Sequence, residues 1–158
     1  MRKRSAAGIV RTPRRRKRRV KEPLTEELLE ELLAAPSPKR FIERNQVGER
    51  SLSDYLQGLL EEKGLKRVDV VRAAGLNDTF GYQIFTGARK ASRNKVLQLA
   101  FAMHLTLRET DRLLQAAGVN ELYCKNRRDA IIIFAVGKGY SLQKTDEELY
   151  RFGEETIC

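Results

Sequence analysis

Between Lys66 and Arg93 two sets of side chains have the types needed to hold a nucleic acid. One is polar: Asn77, Asp78, Thr79, Tyr82 and Gln83 fall within seven consecutive positions. Glutamine can pair through two hydrogen bonds with an adenine edge, and threonine can contact a thymine methyl. Tyr82 offers a hydroxyl to a phosphate, whereas Asp78 would repel one. The other set is basic: Lys66, Arg67, Arg89, Lys90 and Arg93 flank the first and could clamp phosphates and set register. No comparable set exists for catalysis. The one histidine, His104, stands at an expected helix end, and Cys124 and Cys158 have no metal-binding or disulfide spacing. No phosphate-binding glycine loop or nucleophile elbow is present. The pairs Glu26/Glu27, Glu30/Glu31 and Glu147/Glu148 read as solvated helix faces. The chain is therefore expected to be no enzyme, with no catalytic residues, no metal and no cofactor.

The spacing of the apolar residues says what must position those groups. Val70, Val71 and Ala74 share one face at helical period. Gly75 follows, where a residue without a Cβ turns left-handed at little cost. Leu76 is an apolar plug, and Asn77 or Asp78 can cap a second helix. That helix carries Phe80, Ile84 and Phe85 and stops at Gly87, after which Arg89 and Lys90 form a basic loop and Ser92 can cap a further helix. A helix, a glycine turn, a helix with a polar start and a basic loop are the parts of a helix-turn-helix DNA reader. The aromatic content of the second helix leaves another reading, a surface for a protein partner.

Gly75-Leu76, Ile84, Gly87, Arg89-Lys90, Ser92 and the following LQLAFAMHLTL resemble the lambda repressor/Cro-like (XRE) helix-turn-helix domain across Leu52 to Ala117. The resemblance implies a five-helix bundle and sequence-specific binding of double-stranded DNA by a transcriptional regulator. From Leu24 onward the chain is also similar to a subgroup of small bacterial helix-turn-helix proteins with GYQIF and NRRDAIIIFA. Four positions depart from the family pattern. Arg67 stands where a glutamine is usual, Gly81 replaces a buried aliphatic, Phe85 replaces a common acid, and Ala91 replaces a proline.

Charge is unevenly placed. Of the 31 Lys and Arg residues, eleven lie in residues 1–21, which carry no acid. The remaining 20 basic residues face 21 acids, so the net charge of +10 belongs to the tail. Within residues 63–95, however, eight basic residues stand against Asp69 and Asp78, on the proposed reader. The tail has almost nothing to bury and is expected to be disordered. It reads as a phosphate-binding arm, a solvated tail or an extension from a misassigned start. There is no apolar run of a signal peptide, and the longest, Ala130 to Val136, is too short to cross a bilayer. A cytoplasmic, nucleoid-associated protein is expected.

Taken in order, the chain divides into a disordered basic tail (1–23), a short amphipathic helix and linker (24–50), the helix-turn-helix domain (51–118) and a C-terminal helical hairpin (119–158). Helices are expected over 24–35, 52–63, 67–74, 78–86, 93–104 and 107–117, the last with a Thr106/Glu109 capping box. Phe41 and Ile42 should add a turn leading into the core. Residues 93–118 align with 128–153 at a spacing of 35: Arg93 with Arg128, Ala100 with Ala135, Thr110-Asp111 with Thr145-Asp146, Leu114 with Leu149. That internal repeat predicts helices near 127–138 and 142–152. The fold class is thus all-α, a lambda-repressor-like five-helix bundle extended by a C-terminal hairpin. Readers of this kind bind as two-fold dimers, so a homodimer is expected, through the hairpin or through Leu24–Ala35. The leucine face of that first helix is also a candidate hook for a protein partner.

Overall fold

The computed structural model describes residues 25–45, 47–48 and 51–158. The basic segment 1–21, with the roles expected of it, lies outside the described residues. These residues form nine α-helices and no strand. They belong to two compact units, one closing at Arg44 and one spanning Asn45–Cys158. No described helix is long and apolar enough to cross a membrane.

The first unit contains α1 (Thr25–Ala34) and most of α2 (Pro38–Asn45). Arg44 Nε lies 3.4 Å from Glu31 Oε1 and ties the two together. Leu29 and Leu33, one turn apart on α1, are 53% and 78% exposed. Instead of the single turn expected at Phe41 and Ile42, α2 runs for eight residues, and it buries none of them.

In the second unit, α3 (Leu52–Lys63), α4 (Arg67–Ala73), α5 (Asp78–Thr86), α6 (Arg93–Ala102), α7 (Leu107–Ala116), α8 (Arg127–Lys138) and α9 (Leu142–Arg151) share one core. Six of these seven starts are fixed by side-chain caps, α4 being the exception. Ser51, Asn77, Ser92, Thr106, Asn126 and Ser141 each accept a hydrogen bond from a first-turn N–H, and the Thr106/Glu109 capping box is complete. Each such cap contributes about 1 kcal/mol. Leu56, Val96, Leu97, Leu99, Leu113, Leu114, Ile132 and Leu149 are fully enclosed. Helix α6 is central: α4, α7 and α9 pack against it, while α3 packs on α5 and α7.

The repeat is built from the same bonds twice. Arg93 Nε donates to the Asn120 carbonyl at 2.9 Å and Nη2 to the Glu121 carbonyl at 3.0 Å. Arg128 Nε donates to the Glu155 carbonyl at 2.8 Å and Nη2 to the Thr156 carbonyl at 3.2 Å. Asp111 Oδ1 accepts from Leu122 N–H at 3.0 Å, and Asp146 Oδ1 accepts from Ile157 N–H at 2.6 Å. The enclosed hydroxyls of Thr110 and Thr145 each donate 2.8 Å to the carbonyl one turn back. In each unit the arginine satisfies carbonyls of the closing loop while the aspartate fixes its backbone. A buried leucine or isoleucine, Leu122 or Ile157, is thereby seated in the core. Three hydrogen bonds link the two repeats. Arg93 grips both oxygens of Asp129, at 2.8 and 2.9 Å, and Arg128 Nη2 donates to Asn94 Oδ1 at 2.9 Å.

Candidate nucleic-acid interface

Helices α4 and α5 meet at a corner made by Gly75, Leu76 and Asn77. Gly75 takes φ +70°, the left-handed conformation that glycine adopts cheaply. Leu76 is buried behind the turn. Asn77, and not Asp78, is the cap: its Oδ1 accepts from Thr79 N–H at 2.9 Å and Phe80 N–H at 3.3 Å. Along α5 the inward residues are Gly81, Ile84 and Phe85, and the outward ones are Asp78, Thr79, Tyr82 and Thr86. This is one helical face in and one out.

Gly81 explains how tightly the helices approach. A Cβ there would lie within 2.6 Å of Val71 Cγ2 and would also collide with Val71 Cγ1. The space a branched side chain would fill on α5 is filled from α4 by Val71. Phe85 is 1% exposed and completes the core, and its carbonyl accepts from Ser53 Oγ of α3 at 2.5 Å. Ala91 is buried as well.

Between α4 and α5 runs an open groove of about 410 Å3, lined by Arg67, Val68, Val71, Arg72, Asp78, Thr79 and Tyr82. The Arg67 guanidinium lies 4.6 Å from the Tyr82 ring centre. Beyond it, the Arg89 guanidinium lies 5.2 Å from the Phe80 ring centre. Such stacking is worth about 0.5–1 kcal/mol at an exposed site. A cation–ring contact uses none of the guanidinium's hydrogen-bond donors, which can still meet an anion. Lys66 and Lys90 are exposed nearby.

Of the residues proposed to read bases, Asp78, Thr79 and Tyr82 share this groove with Arg67. Asn77 and Gln83 do not line it. Gln83 is half-buried, and the Asn77 carbonyl oxygen is engaged in the cap. Among the proposed phosphate contacts, Lys66, Arg67, Arg89 and Lys90 have no carboxylate partner among the described residues. Arg93 differs from them. All its nitrogens are committed to Asn120, Glu121 and Asp129, so it joins α6 to α8 and is set aside from the interface. Lys63 is likewise paired, with Glu109 at 3.3 Å. Six basic side chains then remain across residues 63–95 against Asp69 and Asp78.

Arg72 was not among the residues proposed from sequence, yet it lines the groove. Its signal was helical spacing: Val68 and Arg72 are one turn apart on α4, beside Arg67. The acids near Arg93 are shifted in opposite directions. Burial would raise the Asp129 carboxyl, but hydrogen bonds from Arg93 and the Tyr123 N–H, with the charges of Arg93 and Arg128, hold it below its ordinary range. Burial dominates at Asp111 and Glu121, which are pushed up. None of these groups lines the α4–α5 groove.

Comparison with known protein families, with curated proteins and with solved structures finds no match to this chain.

Proposed function

We propose that α3–α7 form a lambda-repressor-like bundle in which α4 and α5 are the helix-turn-helix, extended by the α8–α9 hairpin. On this reading the protein is an XRE-type transcriptional regulator that binds double-stranded DNA sequence-specifically in the cytoplasm, in association with the nucleoid. One observation carries the proposal. The polar start of α5 is exposed, beside two guanidiniums over aromatic rings and two exposed lysines with no carboxylate partner among the described residues. An exposed helix start reaches into the major groove while flanking cations fix its register. Asp78 contributes selectivity: inside the groove it repels phosphate but can accept from a cytosine amine.

The test is selection of bound sites from random duplexes, followed by affinity measurements across a salt series. A chain lacking residues 1–21 should keep its sequence preference, and Arg67→Ala and Thr79→Ala, both on the groove, should weaken it. If all binding vanishes with the tail and no preferred sequence emerges, the regulator reading fails. The second reading is a protein-interaction module that keeps the same bundle. It is favoured by Val68 and Tyr82, which are 45% and 51% exposed in the groove.

A further inference from the structure

The repeat allows α6 and α8 to be compared position by position. Val96, Leu99 and Met103 of α6 are 0%, 0% and 2% exposed. Their counterparts on α8, 35 residues on, are Ile131, Phe134 and Lys138. Ile131 is half-buried, Phe134 is 56% exposed and Lys138 is exposed. The reason is a missing neighbour. Three helices pack against α6, namely α4, α7 and α9, whereas α8 has α7 and α9 as its main neighbours. Among the described residues, the face of α8 that corresponds to an enclosed face of α6 is left open.

That open face has a definite chemistry. Phe134 and Tyr140 meet edge to face with centres 6.0 Å apart. Lys138 Nζ lies 5.5 Å from the Phe134 centre, and Lys144 Nζ lies 4.0 Å from that of Tyr140. The patch is therefore aromatic in the middle and cationic at its rim. Lysines on both sides disfavour pairing with an identical patch. The complement is a helix with aliphatic side chains along one stripe and carboxylates beside them. Helix α1, TEELLEELLA, has that composition. Leu29, Leu32 and Leu33 are exposed, and Glu26 and Glu30 are exposed beside them.

We propose that α1 of one copy docks on the Phe134/Tyr140 face of a second copy, and reciprocally, giving a two-fold dimer. The leucines cover the two rings, and Glu26 and Glu30 meet Lys138 and Lys144. The dimer does not depend on the DNA reading, although it would supply the two-fold symmetry that a paired half-site requires.

Sedimentation equilibrium of the full chain tests this without DNA. The wild type should dimerise. Leu33→Asp and Phe134→Asp, both at exposed positions, should keep their helical circular dichroism and weaken association at least about tenfold. The Lys138→Glu/Lys144→Glu variant should also dissociate, and adding Glu26→Lys/Glu30→Lys should restore association. Mixing Leu33→Asp with Phe134→Asp should produce heterodimers, because one of the two contacts is intact in the mixture. A monomeric wild type overturns the proposal, as does a dimer unaffected by Phe134→Asp. Failure of the two variants to associate on mixing would assign α1 to its own chain and also overturn it.

Discussion

Arg67 and Arg93 are both arginines at the first position of a helix in the same charge-rich stretch, yet the molecule treats them oppositely. At Arg93 the donors point inward. They end on two loop carbonyls and a carboxylate, and the α6–α8 joint depends on them. At Arg67 the guanidinium lies over the Tyr82 ring, 4.6 Å from its centre, and has no carboxylate partner among the described residues. The difference lies in what surrounds each group. Where acids and loop carbonyls are within reach, a guanidinium becomes a structural bond. Where a ring takes the guanidinium and no carboxylate pairs with it, it becomes a held but available cation. Positive charge in a sequence therefore marks a binding surface only after the internally paired groups have been removed.

The comparison is broken most forcefully at Arg93. Arg93→Ala leaves a buried carboxylate and two loop carbonyls unpaired, and should cost about 3 kcal/mol or more in urea unfolding. Duplex affinity of the remaining folded protein should be little changed. Gly81→Ala should cost about 1–3 kcal/mol, because the new methyl must displace Val71. Val71→Ala in the same chain should recover part of that loss. Asp129 gives a pH signature. Its carboxyl titrates below the ordinary 3.8, so the pairing stabilises the fold above that pH and is lost as acid carries the solution through the lower folded value. The stability difference between wild type and Asp129→Asn should be largest near neutrality and shrink below pH 3.8. Arg67→Ala and Arg89→Ala should show the opposite pattern to Arg93→Ala. Stability should fall by less than about 1 kcal/mol, while the salt dependence of duplex binding should lose about one counterion each. The smallest effect is expected at His104, which sits at φ +52° where the second repeat has Gly139. His104→Gly should stabilise by under about 1 kcal/mol in thermal unfolding.

Much of the helical layout was legible because its signals are local. Ser51, Ser92, Thr106 and Ser141 announce helix starts within three residues of the N–H groups they cap. The repeat was legible because Arg93/Arg128 and Asp111/Asp146 keep one spacing. The fate of Arg93 was not, since its carboxylate partner lies 36 residues away and its carbonyl partners carry no side-chain signature. The departures at Gly81 and Phe85 make sense only across helices: Val71 of α4 fills the space beside Gly81, and Phe85 is enclosed in the shared core. Gln83 was a base-reading candidate for its side-chain chemistry and its place one turn into α5, but it sits on the half-covered flank of that helix, which residue type does not reveal.

The absence of any side chain at Gly81 leaves α4 and α5 with no slack between them. Such a corner cannot widen to suit a poorly shaped target, so any misfit has to be absorbed by the molecule that lies against it. For a duplex, this means that stiffness and groove width beyond the contacted bases would influence affinity. Two operators with identical contacted bases but different flanking steps should then be bound unequally.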